Sequence, residues 1–107
     1  MDSFDKGIEN VTGWASDKGL LNPENATKQM LKVMEEVGET ASALLRDNHK
    51  GTIDGIGDSF VTLIILSKQL GYEPAECLEF SWNEIKNRKG KMVAGTFIKE
   101  SDILHSK

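Results

Sequence analysis

Two short acidic strings carry the clearest chemical signal in the sequence: Glu35-Glu36-Val37-Gly38-Glu39 and Asp54-Gly55-Ile56-Gly57-Asp58. On a helix, residues three apart sit on adjacent turns, about 5–6 Å apart at Cβ. Glu36 and Glu39 therefore repel each other unless something offsets their charge. A divalent cation does so. Mg²⁺ takes hard oxygen ligands in octahedral geometry, typically a few carboxylates completed by water and substrate phosphate, and Mn²⁺ is a possible substitute. The competing reading is a solvated acidic helix face. Asp54 and Asp58 are four residues apart. Asp54 is accounted for as a first-turn acid that complements the helix dipole. Asp58 lies nearly two turns in, on a stripe with Val61 and Ile65, where an ionised carboxylate is costly unless paired or metal-bound. Two acidic pairs on consecutive helices joined by a short loop can converge on one cation site, with Glu36, Glu39, Asp58 and Asp54 as candidate ligands.

Helices must position these groups. The first is expected over about Ser3 to Lys18, with Phe4, Ile8, Val11 and Ala15 on one face and Gly19 as its stop. The second opens on Asn22 as cap and Pro23 at the first helical position. It runs to about Arg46, and Met30, Met34, Val37, Ala41 and Leu44 form a bundle seam. The carboxylates lie opposite that seam and face either solvent or a second packed surface. Asp47 to Gly51 reads as a polar loop. The third helix starts near Thr52 and ends before Gly71. Its stretch Phe60 to Leu66 is apolar nearly all round, which calls for cover on several sides, a second subunit included. A fourth helix is expected from Pro74 to about Lys89, and the tail from Gly90 onward as a small hairpin or an extended arm. The fold class is thus all-α, a four-to-five-helix bundle with a short extended or hairpin C-terminal tail, expected as a single domain over 1–107.

Thirteen basic against seventeen acidic residues give a net charge of −4, which argues against an electrostatic nucleic-acid binder. The single Cys77 excludes an intrachain disulfide, fits a reducing compartment and reads as a buried small hydrophobe. No apolar run reaches membrane-spanning length, and the N-terminus lacks a signal-peptide layout. The expected location is cytoplasmic, with no membrane partner. There is no Gly-rich phosphate loop.

In order and spacing, these strings resemble the all-α nucleoside triphosphate pyrophosphohydrolases, and more narrowly the short MazG-like proteins of bacteria and phages. The resemblance runs from roughly Ile8 to Asp102. It rests on GWASDKGLL before the second helix, on QMLKVMEEVGE ending at Glu39, on DGIGD ending at Asp58, and on WNEIKNRKGKM from Trp82. It implies a helical homodimer or homotetramer, Mg²⁺ dependence, and cleavage of a nucleoside triphosphate between its α- and β-phosphates. By the same resemblance Glu36 and Glu39 match the metal-binding pair and Asp58 the closing Asp of the second motif. Glu35 matches a leading Glu, a candidate to position or deprotonate water. One departure stands out: the second motif is usually Glu-x-x-Asp, and the Glu position holds Gly55 here, with Asp54 one residue earlier.

Lys86, Arg88, Lys89 and Lys91 cluster where the fourth helix is expected to end. The helix dipole favours cations there; phosphate capture by Lys86 with Arg88 or Lys89 is the functional alternative. Asn83, one turn earlier, is a candidate hydrogen-bond partner for substrate. Lys32 pairs with Glu35 or Glu36 at helical spacing, or binds phosphate. Trp14 and Trp82 read first as core residues, with one side of Trp14 free to stack a base. The expected function is Mg²⁺-dependent hydrolysis of a (d)NTP to (d)NMP and pyrophosphate, in nucleotide-pool housecleaning. The alternatives are a non-catalytic helical oligomerisation module and a phosphoribosyl-ATP pyrophosphohydrolase-like enzyme.

Overall fold

The computed structural model describes residues 2–105. The chain is all-α with one small hairpin: α1 (Ser3–Asp17), a 3-10 turn (Pro23–Asn25), α2 (Ala26–Leu45), α3 (His49–Gln69), α4 (Pro74–Ile85), β1 (Gly90–Val93), β2 (Thr96–Lys99) and α5 (Glu100–His105). It divides into two compact units, with the break between Ala75 and Glu76. The outermost positions of the expected 1–107 domain and of its tail (1, 106 and 107) lie outside the described residues.

The first unit is built around α3. Its helix ends follow from local chemistry. Asn22 Oδ1 accepts from the Glu24 amide at 2.9 Å and starts the 3-10 turn that leads into α2. α1 and α3 both end in a left-handed glycine, Gly19 (φ 73°) and Gly71 (φ 81°). The Leu20 amide returns to the Ala15 carbonyl, and the Tyr72 amide to that of Ser67, the paired closure of a Schellman motif. α2 closes the same way over Asp47, with the Asn48 amide on the Ala43 carbonyl. Asn48 then caps the next helix, its Oδ1 accepting from the Gly51 amide at 2.9 Å. One residue thus serves both helices, and α3 begins at His49 rather than near Thr52. The expected Asp47–Gly51 loop shrinks accordingly.

α3 receives α1 through Phe4, whose ring meets Phe60 edge-on at 5.6 Å; beside that pair Ile8 and Val11 of α1 and Val61 and Ile64 of α3 line a small apolar cavity. It receives α2 through a closer contact. A Cβ added at Gly55 would fall 2.2 Å from Thr40 Oγ1 and 3.0 Å from Thr40 Cα. Only a glycine lets the two helices approach this far, which explains why position 55 carries no acidic side chain. Buried side chains are few: Ala15, Val33, Ile64 and Ile65, with Thr62 and Gln69 among the polar residues.

Several expectations are corrected here. The stripe Met30, Met34, Val37, Ala41 and Leu44 is not an internal seam. It stays exposed, because the α2 face turned to α3 is the neighbouring one that holds Gln29, Val33, Glu36 and Thr40. Trp14 and Trp82 are about half exposed rather than core, and Cys77 is exposed rather than buried.

In the second unit α4 ends at Ile85, short of Lys89. The tail resolves as a hairpin, with antiparallel pairs running from Gly90↔Lys99 to Val93↔Thr96. Its two-residue turn, Ala94-Gly95, has positive φ at both positions (50° and 81°), as a type I′ turn requires. The short α5, not foreseen from the pattern, packs against this hairpin. Among the described residues no helix is long and apolar enough to cross a membrane.

Candidate functional site

Between α2 and α3, and closed at one end by the last turn of α1, lies an open cleft of about 620 Å³. That volume is in the range of small-molecule sites. α2 contributes Lys28, Gln29, Lys32 and Glu36, which recur at helical spacing along one face. α3 contributes Asp58, Val61, Thr62, Ile65 and Gln69; Trp14, Leu20 and Asn25 complete the wall. The helices run antiparallel, as the Gln29 Nε2 bond to the Thr62 carbonyl (3.1 Å) and the Thr40–Gly55 contact require. Glu36 and Asp58 therefore share one end of the cleft, and Leu20 and Gln69 the other.

Glu36 is the electrostatic focus. Its side chain is only 12% exposed. Loss of hydration pushes its carboxyl above the ordinary value; the charges of Glu39 and Asp58 push further the same way, Lys32 pulls it back, and Glu35 adds a smaller upward push. An acid so placed is held in its charged form at a cost. Among the described residues Lys32 is the nearest compensation, with Nζ 3.5 Å from Glu35 and 3.9 Å from Glu36. That pair is exposed on the lysine side, where such bridges contribute little.

The sequence-derived residues fall into three groups. Glu36, Asp58, Lys32 and Trp14 line the cleft together. Glu39 stands one turn beyond Glu36, over a separate shallow depression shared with Ser42, Arg46 and Asn48. Glu35 and Asp54 are exposed, and neither lines the cleft. Asn83, Lys86, Arg88 and Lys89 belong to the second unit. There Lys86 Nζ donates to Asn83 Oδ1 at 3.1 Å, and Lys89 lines a small depression with Glu100.

Sequence reasoning passed over Lys28, Thr62 and Gln69. For Thr62 and Gln69 a signal existed. Asp58, Thr62, Ile65 and Gln69 recur at steps of three and four along α3, which sets the polar members on the face of Asp58. Among the described residues, no group of three Asp, Glu, His or Cys side chains stands assembled as a metal cage. The donor set nevertheless fits Mg²⁺ in kind. That ion is usually held by one or two carboxylates, with water and substrate phosphate supplying the rest, and the cleft offers two carboxylates on facing helices.

No family model matches the sequence, and no solved structure matches it. Among curated proteins, an uncharacterized 18.2 kDa protein from the rep-hol intergenic region of Haemophilus phage HP1 (strain HP1c1) is 40% identical over 62 residues. The match covers 58% of this chain and 38% of the phage protein. The chain therefore spans well under half the length of that relative.

Proposed function

We propose that the protein is a Mg²⁺-dependent nucleoside triphosphate pyrophosphohydrolase, cleaving (d)NTP to (d)NMP and pyrophosphate. One observation carries the reading: Glu36 and Asp58 line, from two helices, one cleft that also presents Lys28 and Lys32, and among the described residues the charge crowding on Glu36 is offset by Lys32 alone, at 3.9 Å. Carboxylates beside lysines in one open cleft suit a polyanionic substrate that arrives with its cation.

Glu36 and Asp58 would hold the ion, with Glu39 within reach of its field. When bound, Mg²⁺ supplies charge neutralisation at the phosphates and Lewis acidity. Lys28 and Lys32 would grip phosphate oxygens as point charges, which draws Lys32 away from Glu35 and Glu36. A water attacks the α-phosphorus, the α–β anhydride bond breaks, pyrophosphate leaves, and a carboxylate takes the water's proton. With Glu36 held by the ion, Glu35 beside it on α2 is the carboxylate that would orient that water or take its proton.

We also propose that the chain works as a homodimer or homotetramer, since Met34, Val37 and Leu44 form an apolar stripe too wide to be left in water. The same stripe favours one rival reading, a non-catalytic helical assembly module. Incubation with a panel of ribo- and deoxynucleoside triphosphates, with and without Mg²⁺, separates the two. Pyrophosphate release is expected with Mg²⁺ only. Asp58→Asn should lower it by a thousandfold or more, about 4 kcal/mol of transition-state stabilisation, and Asp54→Asn by less than tenfold. No pyrophosphate from any triphosphate leaves the assembly module as the answer.

A further inference from the structure

We propose that Gln69 is a specificity-determining residue, a buried hydrogen-bond acceptor that selects ligands presenting an N–H donor at the end of the cleft remote from the carboxylates. The ligand class it fits is a nucleobase edge. The inference deepens the nucleotide reading above and rests on it for the identity of the ligand.

Gln69 is 4% exposed and lines the cleft. Its Nε2 donates to the Leu20 carbonyl at 2.8 Å. That bond fixes which end of the amide is which, since the flipped form would set two oxygens against each other. Oε1 is then left as an acceptor. It is buried and has no hydrogen-bond partner in the protein, the one such side-chain atom among the described residues. Buried polar groups are almost always paired, and each exception calls for an explanation. Gln29 makes the contrast: it too donates through Nε2, to Thr62, but it is half-buried and open to water.

The surroundings narrow the ligand. Leu20, Ile65 and Trp14, a residue 52% exposed, line the same cleft. Apolar and aromatic walls beside a fixed polar group, with Asn25 on the same lining, suit a flat heteroaromatic ring. Three turns of α3 separate Gln69 from Asp58, about 16 Å along the helix axis, which is the scale of an extended nucleotide. Inorganic polyphosphate has neither ring nor N–H and gains nothing at this end. A neutral acceptor also suits neutral base N–H groups, where a carboxylate would favour a cation.

The test uses α,β-imido triphosphates, which resist cleavage at the reacting bond, so binding is read by calorimetry without turnover. They are compared in pairs that differ by the donor: adenine against unsubstituted purine, cytosine against 2-pyrimidinone, and uracil and guanine each against the ring N-methylated base. In the wild-type protein with Mg²⁺, the donor-bearing member of at least one pair should bind tenfold tighter or more, because removing it strands a buried acceptor. Gln69→Met keeps the shape, and there the preference should fall to within twofold. The wild-type pairs need no variant, so a misfolded Gln69→Met leaves the test intact. Equal binding within every wild-type pair, undiminished preference in Gln69→Met, or no binding of any analogue overturns the inference. Hydrolysis of natural triphosphates without pairwise discrimination sinks this inference and leaves the pyrophosphohydrolase reading standing. Discrimination without hydrolysis does the reverse.

Discussion

Two faces of α2, one helical step apart, meet opposite fates. The face with Gln29, Val33, Glu36 and Thr40 turns inward to α3, though only one of its four residues is apolar. The face with Met30, Met34, Val37 and Leu44 is left open, though all four are apolar. Hydrophobicity alone would reverse this choice. What decides it is closeness. Gly55 lets the α3 backbone come up to Thr40, and a row of long apolar side chains could not stand in that gap. The inward face is where we propose the chemistry, and the outward one is the face we assign to a second copy.

Breaking the outward face should give the largest effect. Met34→Lys with Val37→Lys sets two charges in the exposed stripe, touches no cleft residue, and should leave the fold of a single chain intact. We expect the assembly to weaken at least a hundredfold, ~3 kcal/mol at 1.4 kcal/mol per tenfold, as measured by sedimentation across a concentration series. A wild-type protein that sediments as a folded monomer at micromolar concentration would falsify the assignment of that stripe to a second copy.

The inward contact offers a smaller effect and carries its own control. Gly55→Ala puts a Cβ into Thr40 and should cost about 1–3 kcal/mol, the usual penalty for overpacking. Gly57 lies two residues on in the same helix, and a Cβ there meets nothing within 4 Å. Gly57→Ala should then stabilise by about 0.5–1 kcal/mol through helix propensity. Chemical denaturation of both variants gives the comparison. Equal stabilisation by the two would mean that α2 and α3 are not pressed together at Gly55.

These two faces also mark how far the sequence could be read. Helix ends were legible because they depend on a few adjacent residues: Asn22-Pro23, Gly19 and Gly71 act where they stand. Asp58 was legible because an acid on the Val61/Ile65 stripe is chemically conspicuous, and the structure does set it on the cleft wall. The choice between adjacent faces of α2 was not legible. Periodicity reveals that an apolar stripe exists but not which molecule covers it. The early start of α3 was missed because Asn48 serves two helices, which no single-helix signal encodes. Gln69 was missed because its role depends on the Leu20 carbonyl, 49 residues away in the chain. The exposed Cys77, Leu78, Phe80 and Trp82 of α4 repeat the lesson of the outward stripe.

The smallest effect concerns the charge that the inward face carries. Glu36 has its carboxyl pushed upward by lost hydration, then by Glu39 and Asp58. A pKa higher in the folded state than in the unfolded one means that folding favours the protonated form. That contribution to stability is full below the unfolded carboxylate value, about 4.3, and is lost as pH rises through the folded one. At neutral pH the ionised Glu36 is therefore a net cost to the fold. Glu36→Gln should melt slightly above the wild type at pH 7, and the gap should close towards pH 4. Millimolar Mg²⁺ should raise the wild-type melting temperature at pH 7, since it binds only the folded state, and should do less for the variant. Thermal melts at both pH values, with and without Mg²⁺, read all of this in one series. A variant that melts below the wild type at pH 7 would show that Lys32 already outweighs the two acids. The carboxylates would then have no deficit for a cation to fill.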